Sequence, residues 1–175
     1  MKPSYAGLWV RITAFAFDYI LIAGYLILVV ALSSMVNALF PAIARRVFAD
    51  PLSGQITGFC LVTLPVSLYF ALLESSAWQA TWGKRRKSLR VIRSDGSRLS
   101  RSRAISRTVL KFIPWELAHT CIWQISFAPQ EPSPIITAGF ALVWILVGAN
   151  VVSLLISQTH QTLYDRLAGT FVVTS

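Results

Sequence analysis

Four long apolar stretches, separated by short polar segments, dominate the pattern of the chain. A membrane-spanning α-helix needs about 20 mostly apolar residues, and four segments reach or approach that length. They predict spans over residues 12–39, 56–80, 108–128 and 135–157. The third segment is the least apolar because it contains Lys111, Pro114 and Glu116, and a re-entrant or partly interfacial path is its alternative. The pattern predicts an all-α integral membrane helical bundle, with four transmembrane helices in one domain over residues 1–175.

The composition agrees with a membrane protein and excludes two other classes. Hydrophobic residues make up 55% of the chain and charged residues 13%, whereas a soluble domain carries roughly 25% charged residues. Disordered chains are poor in apolar and aromatic residues, so disorder is excluded as well. The first apolar segment is longer than the apolar part of a secretory signal and carries Asp18, so we interpret it as a retained span.

The positive charge is concentrated in one part of the chain. Eleven of the 16 Lys and Arg residues lie between Lys84 and Lys111, where Asp95 is the one acid. Clustered cations are typical of a nucleic-acid surface, but they are also typical of a short cytoplasmic loop beside a span. Because the cluster starts where the second span ends, we expect a basic cytoplasmic loop over residues 81–107 and no nucleic acid. Anionic lipid headgroups are a compatible partner for this loop.

The charge bias also predicts the orientation. A cytoplasmic loop between the second and third spans places both termini in the cytoplasm, with a cytoplasmic tail over residues 158–175. The outer loops are then short and carry little charge. We therefore expect a multi-pass protein of the plasma (inner) membrane of a prokaryote, with both ends inside.

Two short segments on this predicted cytoplasmic side favour β structure. Residues 89–93 read Leu-Arg-Val-Ile-Arg and are followed by Asp95-Gly96, a turn signal. Residues 170–174 read Thr-Phe-Val-Val-Thr. We expect the two segments to pair as a small ribbon that ties the tail to the basic loop.

Ionisable residues in or near the spans are candidate functional residues, because each costs about 2.5–3.5 kcal/mol at the bilayer centre. At ~1.5 Å per residue, one group falls at the cytoplasmic interface and is expected to form a structural clasp: Arg11, Asp165 and Lys111. A second group falls deeper and could bind a hard cation or share protons: Asp18, Glu74, Glu116 and Asn150. Hydrogen bonding between helices is the alternative role for every member of the deeper group.

Catalytic and metal-binding patterns are weak. Cys60 and Cys121 both lie inside predicted spans, and no second Cys or His stands at metal-ligand spacing from either. His119 and His160 are the two histidines, and no nucleophile arrangement surrounds them. We expect neither an enzyme nor a bound cofactor or metal.

Three motifs in order resemble the RDD family of prokaryotic membrane proteins, named for one Arg and two Asp. Arg11 and Asp18 stand in the first span, the second span ends in Thr81-Trp82-Gly83-Lys84-Arg85, and residues 163–170 read Leu-Tyr-Asp-Arg-Leu-Ala-Gly-Thr. The family pattern maps onto Arg11, Asp18 and Asp165. Tyr164 stands where family members usually carry His, and the charged Arg86 and Lys87 replace apolar or small residues.

Two functions follow as expectations. The first is transport of a monovalent cation or proton by the deeper group, with Asp18 as its central residue. A bundle of this size is small for a complete pathway, so a homo-oligomer is expected with it. The alternative is a non-transporting membrane scaffold or accessory protein that stabilises or recruits a partner through the basic loop and the tail.

Overall fold

A computed structural model describes residues 4–128 and 133–174. These described residues are mainly helical, with one small sheet. In chain order the elements are α1 (Leu8–Leu39), α2 (Pro41–Val47), α3 (Pro51–Gly58), a π-helical turn (Phe59–Thr63), α4 (Leu64–Glu74), α5 (Trp82–Arg86), β1 (Leu89–Arg93), α6 (Arg101–Phe127), α7 (Pro134–Ile156), α8 (Leu163–Leu167) and β2 (Thr170–Thr174).

In the part of the chain that the structure describes, three helices are long and apolar enough to cross a membrane. They are α1, the continuous helix Pro51–Glu74, and α7. The predicted spans 12–39 and 135–157 correspond to α1 and α7, and the span 56–80 overlaps the second helix, which starts earlier and ends at Glu74 because residues 75–80 are turns and irregular structure. The predicted span 108–128 falls on α6, a single long helix that ends at Phe127. Its charged and polar residues make it less apolar than the other three, so the predicted fourth span is not confirmed. Residues 129–132, between α6 and α7 in the sequence, lie outside the described residues.

The second spanning helix changes its winding in the middle. Pro65 has no backbone N–H, so it cannot donate to the carbonyl of Leu61, and its ring would crowd that carbonyl in a regular α-helix. The π-helical turn directly before Pro65 relieves this crowding. The Leu61 carbonyl oxygen instead accepts a hydrogen bond of 2.6 Å from the hydroxyl of Tyr25 in α1. A side chain of the neighbouring helix thus replaces the missing backbone donor.

Small residues bring α3 close to α6. A Cβ atom at Gly54 would overlap the ring of Trp123, and one at Gly58 would lie 3.3 Å from its indole nitrogen. On the other side of α6, a Cβ atom at Gly139 of α7 would overlap the Cys121 sulfur. Helix α6 therefore packs between the second spanning helix and α7, whereas α1 packs chiefly against the short α5.

The predicted ribbon is confirmed. Strands β1 and β2 pair antiparallel, with Leu89 opposite Thr174 and Arg93 opposite Thr170. The N-terminal segment joins them, because the amide of Ala6 donates to the carbonyl of Val172 over 2.9 Å. The residues of this ribbon and its neighbours form a buried apolar cluster: Ala6, Ala14, Leu89, Val91, Leu99, Ala104 and Val172. We call this end of the molecule, with residues 81–100 and 157–174, the basic end.

Candidate functional site

A network of buried ion pairs joins the basic end to the helices, with Arg107 at its centre. Arg107 is 1% exposed. Its Nη2 and Nε atoms donate to one carboxylate oxygen of Asp165 over 2.7 and 3.0 Å, and its Nη1 atom pairs with Glu74. Lys84 pairs with the other oxygen of Glu74, and Arg11 Nη1 lies 2.6 Å from the second oxygen of Asp165. We call these five residues the ion-pair network.

The local sequence around Asp165 explains its position. Thr162 and Asp165 form a reciprocal capping box at the start of α8, in which the Asp165 amide donates to the Thr162 hydroxyl over 3.2 Å. Gly169 has φ +62°, a left-handed conformation that ends the turn before β2 begins. Arg11 is held from two sides, since its Nε atom donates to the Ala6 carbonyl over 2.9 Å. The conspicuous run 163–170 is therefore a cap and turn that present one carboxylate to two guanidinium groups.

The charges around Asp165 control its protonation. Burial by itself would raise the pKa of this carboxyl group. The Arg107 and Arg11 guanidinium groups outweigh burial and hold the pKa of Asp165 well below its ordinary value of 3.8. Asp165 therefore stays ionised at neutral pH, as a buried ion pair requires.

Asp18 lies beside the network and fixes α5 against α1. It is 1% exposed and accepts hydrogen bonds from the Tyr69 hydroxyl (2.7 Å), the Thr81 hydroxyl (2.6 Å) and the Gly83 amide (2.7 Å). A Cβ atom at position 83 would overlap the carbonyl oxygen of Ala14, so glycine is required for this close approach. The Thr-Trp-Gly motif after the second span is thus a docking turn for Asp18.

The predicted clasp differs in one member. Arg11 and Asp165 are in direct contact, but the third group is Arg107 instead of Lys111. The Nζ atom of Lys111 lies 3.2 Å from the centre of the Phe70 ring and 5.7 Å from that of Phe15. Among the described residues, no carboxylate lies within salt-bridge distance of it.

Sequence reasoning placed Arg107 in the basic loop 81–107 and missed its role. The charge run around it is long, and nothing in that run distinguishes one arginine from its neighbours. A signal was nevertheless present. Arg107 precedes Lys111 by one helical turn and is followed by a mainly apolar segment, so it lies at the point where the helix enters the bundle.

The four residues of the predicted deeper layer have separate partners. Asp18 binds α5, and Glu74 belongs to the ion-pair network. Asn150 donates to the Leu146 carbonyl over 2.8 Å and accepts from the Tyr164 amide over 3.4 Å. Similar depth does not bring side chains together, because the rotation of each helix about its axis decides which neighbour a side chain meets.

Glu116 is the centre of a second polar cluster, far along α6 from the network. One of its oxygens accepts a hydrogen bond from Gln55 Nε2 over 2.8 Å, and the other accepts from the Thr63 hydroxyl. His119 Nδ1 lies 3.3 Å from the same oxygen as Thr63. Among the described residues, Gln55 Oε1 is buried without a hydrogen-bond partner. We call Gln55, Thr63, Glu116 and His119 the Glu116 cluster.

The Glu116 cluster contains no Lys or Arg within salt-bridge distance of its carboxylate, in the described part of the chain. Thr63 is the last residue of the π-helical turn and lies near the middle of the helix Pro51–Glu74. Turns of this type occur often at functional sites. The cluster can hold a proton or offer oxygen ligands, but residues 4–128 and 133–174 contain no group of three His, Cys, Asp or Glu side chains that could bind a metal.

Comparison with known proteins identifies the family of this chain. The model of the RDD family matches residues 5–169. No curated protein and no solved structure matches the chain. The match covers nearly the whole sequence and includes the Arg11, Asp18 and Asp165 positions, as well as the helices that are apolar enough to span a membrane. The chain belongs to the RDD family.

Proposed function

We propose that this RDD-family chain is a membrane transporter of a proton or a monovalent cation, and that Glu116 instead of Asp18 is its central binding residue. The observation that carries the proposal is the Glu116 cluster, in which a carboxylate near the middle of the bundle has only neutral hydroxyl and amide donors and one histidine beside it. An ionised group in this position is costly, and a proton or a cation would offset the cost.

The other carboxylates of the bundle have structural partners that occupy them. Glu74 and Asp165 are neutralised by Lys84, Arg107 and Arg11. Asp18 has three short hydrogen bonds and is almost fully buried. The Glu116 side chain is 25% exposed, and a proton or ion could reach it without breaking an ion pair.

The neighbours of Glu116 supply the atoms that a hard cation or a proton relay needs. Oxygen atoms are the preferred ligands of hard cations, and Gln55 Oε1 is a buried acceptor that a cation or a hydronium ion would satisfy. His119 Nδ1, 3.3 Å away, is a second site for a proton. Exchange of a proton for a cation at one carboxylate is the simplest use of this arrangement.

A cavity between the helices reaches Thr63 of the Glu116 cluster, although Glu116 itself is not among its lining residues. A space of about 210 Å³ between α1, α4 and α6 is bordered by Thr63 at its inner end and by Lys111 towards the basic end. Lys111 also borders a larger groove that opens at the basic end. Gln55 extends the polar cluster towards the opposite end of the second spanning helix.

Flux measurements in proteoliposomes test the proposal. Purified protein is reconstituted with a pH-sensitive dye inside, and Na⁺, K⁺ or Li⁺ gradients are imposed. We expect the wild type to move protons in response to at least one gradient and Glu116→Gln to lose this flux while remaining folded. Asp95→Asn, which removes an exposed carboxylate, is the matched control and should keep the flux.

Asp18→Asn separates the two candidate residues. If Glu116 is central, this variant is less stable, but the fraction that folds transports with unchanged cation selectivity. Flux that persists in Glu116→Gln, or a selectivity that changes in Asp18→Asn, contradicts the assignment. A wild type that moves nothing contradicts transport itself.

The second candidate is the scaffold function, and the exposed cations of the basic end and of the adjoining start of α6 favour it. Arg90, Arg98 and Arg101 are exposed on the ribbon and at the start of α6, where they form a surface for an acidic partner or for anionic headgroups. This function requires no titrating carboxylate, so it predicts no flux and a loss of partner binding when these arginines are replaced by glutamine.

We also propose the orientation and assembly that accompany transport. Both termini lie in the cytoplasm of a prokaryotic cell, and the chain works as a homo-oligomer. Reporter fusions at the C-terminus test the orientation, and light scattering of the purified protein in detergent tests the assembly.

A further inference from the structure

An open groove runs along the outside of the bundle between α1 and α7. Helix α6 packs against α7, whereas α1 packs chiefly against α5. A gap is therefore left between α1 and α7, and residues of α6 form its floor. The groove has a volume of about 470 Å³. Ile12 and Phe15 lie on its α1 side, and Val143, Val147 and Val151 lie on its α7 side. We call it the lateral groove; apart from its basic end, its walls are almost entirely apolar.

The basic end of the lateral groove carries an excess of positive charge. Arg11, Lys84, Arg107 and Lys111 all line it. The first three are paired with Glu74 or Asp165, and Asp18 has its own donors. Lys111 is therefore a fourth cation at a place that has three carboxylates, those of Glu74, Asp165 and Asp18.

The ammonium group of Lys111 lacks an acceptor in the described structure. Its Nζ atom lies over the Phe70 ring at 3.2 Å from the centre and near Phe112 at 5.5 Å, and none of the hydrogen bonds or ion pairs of the described residues involves it. Aromatic faces attract a cation but do not replace hydrogen-bond acceptors, and an ammonium group left without one in an apolar setting is costly. An anion at this end of the groove would supply the acceptor.

The length of the groove fits one layer of a bilayer. Its α7 lining runs from Val143 to Leu154, which is about 16 Å at 1.5 Å per residue. Half of a hydrocarbon core is roughly 15 Å thick. An apolar slot of this depth with a cation at its mouth is complementary to an amphiphile with an anionic head.

We propose that the lateral groove binds one anionic phospholipid, with an acyl chain between α1 and α7 and the phosphate at Lys111. The proposal goes beyond transport, because the Glu116 cluster does not line this groove. The lipid would fill the space that α1 and α7 leave open and would balance the excess positive charge at the basic end of the groove.

Thermal unfolding in detergent with added lipid tests the proposal. Phosphatidylglycerol supplies the anionic phosphate and phosphatidylcholine is the zwitterionic control. We expect phosphatidylglycerol to raise the unfolding temperature of the wild type in a saturable way, and phosphatidylcholine and inorganic phosphate to have little effect. Lys111→Met should bind phosphatidylglycerol about tenfold more weakly, since one charged hydrogen bond is lost, without becoming less stable in phosphatidylcholine.

Matched variants separate the groove from the charged surface. Arg90→Gln removes an exposed cation of the basic loop and should keep the lipid response. Val147→Phe narrows the groove and should weaken the lipid response. Val152→Phe, on the same helix but outside the groove, should leave the response unchanged. Glu116→Gln should also keep the response, so this test does not depend on transport.

Several results would overturn the proposal. One is an equal response to phosphatidylglycerol and to inorganic phosphate or phosphatidylcholine. Another is a response that is lost in Arg90→Gln but kept in Lys111→Met, which would assign the lipid effect to the basic loop. If Lys111→Met does not fold, the lipid response of Val147→Phe decides the test, and an unchanged response in that variant overturns the proposal. A Val147→Phe variant that dissociates an oligomer and keeps its lipid response would show that a second copy of the chain fills the groove.

Discussion

Single side chains at the basic end determine how closely the elements approach one another. Gly83 is the clearest example, because its amide donates to Asp18 over 2.7 Å while its α-carbon faces the backbone of α1. Arg107 is the second, since one guanidinium group binds Glu74 of α4 and Asp165 of α8. At this scale the family motifs are explained by geometry: they are the residues that lock α5 and α8 to the spanning helices.

Gly83→Ala tests the close approach. The added methyl group would overlap the Ala14 carbonyl, so α5 must move and the hydrogen bond to Asp18 is lost. We expect the variant to be less stable by about 3 kcal/mol, measured by unfolding in detergent.

The control for this prediction is another glycine-to-alanine change. Gly24 lies within α1, and a Cβ atom added there would have no neighbouring atom within 4 Å. Gly24→Ala should therefore stabilise the helix by roughly 0.5–1 kcal/mol. Equal effects of the two substitutions would show that packing at Gly83 is not what holds α5.

At the scale of elements, the second spanning helix shows how one irregularity is compensated by a neighbour. Pro65 and the π-helical turn before it leave the Leu61 carbonyl without its usual donor, and Tyr25 of α1 provides one. The same turn ends at Thr63, which donates to Glu116. The irregularity therefore joins α1 to this helix and also helps to build the Glu116 cluster.

A double-mutant cycle tests the coupling between Tyr25 and Pro65. Tyr25→Phe removes the donor to Leu61 and should destabilise the wild type by about 1 kcal/mol. In a Pro65→Ala background the new backbone N–H can serve the carbonyl, so the cost should become smaller. Unfolding in detergent measures all four proteins.

Tyr19→Phe is the control, because Tyr19 lies on the same helix, is 54% exposed and has no hydrogen bond among those of the described residues. It should change stability little in both backgrounds. A Tyr25→Phe cost that is the same in the wild type and in the Pro65→Ala background would mean that the hydroxyl does not replace the missing backbone donor.

At the scale of the whole molecule, the basic end acts as a cap that ties together distant parts of the chain. The ribbon joins residues 89–93 to 170–174, and the ion-pair network joins α1, α4, α6 and α8. The ribbon and its neighbours form a buried apolar cluster in this cap, whereas the long apolar helices leave residues such as Ile27 exposed, at 70%. The stability of the cap should therefore depend on the charges that hold it.

Acid should weaken the cap through Asp165. Its pKa in the folded protein is below the ordinary value of 3.8, so its stabilising contribution is complete above about pH 3.8 and is lost as the pH falls from there towards the lower, folded value. At pH 7, Asp165→Asn should destabilise the protein by about 3 kcal/mol, because Arg107 and Arg11 lose their shared carboxylate.

The difference between wild type and Asp165→Asn should therefore shrink below pH 3.8, as measured by unfolding at a series of pH values. Asp95→Asn, at an exposed residue of the basic loop, should be only slightly destabilised throughout. A difference at Asp165 that stays constant down to about pH 2 would show that the network does not lower the pKa of this carboxyl group.

Part of the fold could be predicted from residues alone, and part of the site could not. Three of the four predicted spans correspond to helices that are apolar enough to cross a membrane, and the ribbon follows from two β-prone segments, because both signals are local. The contact between Arg11 and Asp165 was expected from their common depth. Depth alone also suggested that four residues share a site: Asp18, Glu74, Glu116 and Asn150. Each of them has different partners. Depth further suggested Lys111 as the third member of the clasp, a position that Arg107 occupies.

The sequence by itself indicated a membrane protein, three of the helices that are apolar enough to cross a bilayer, where the cations gather and to which family the chain belongs. These properties depend on the composition and order of residues along one helix at a time. Only the tertiary structure decided that Asp18 holds α5, that Arg107 links two carboxylates, and that Lys111 faces a groove without an acceptor. The reason is physical: the energy of inserting a helix depends on its own residues, whereas the partner of each polar side chain depends on the rotation and packing of several helices together.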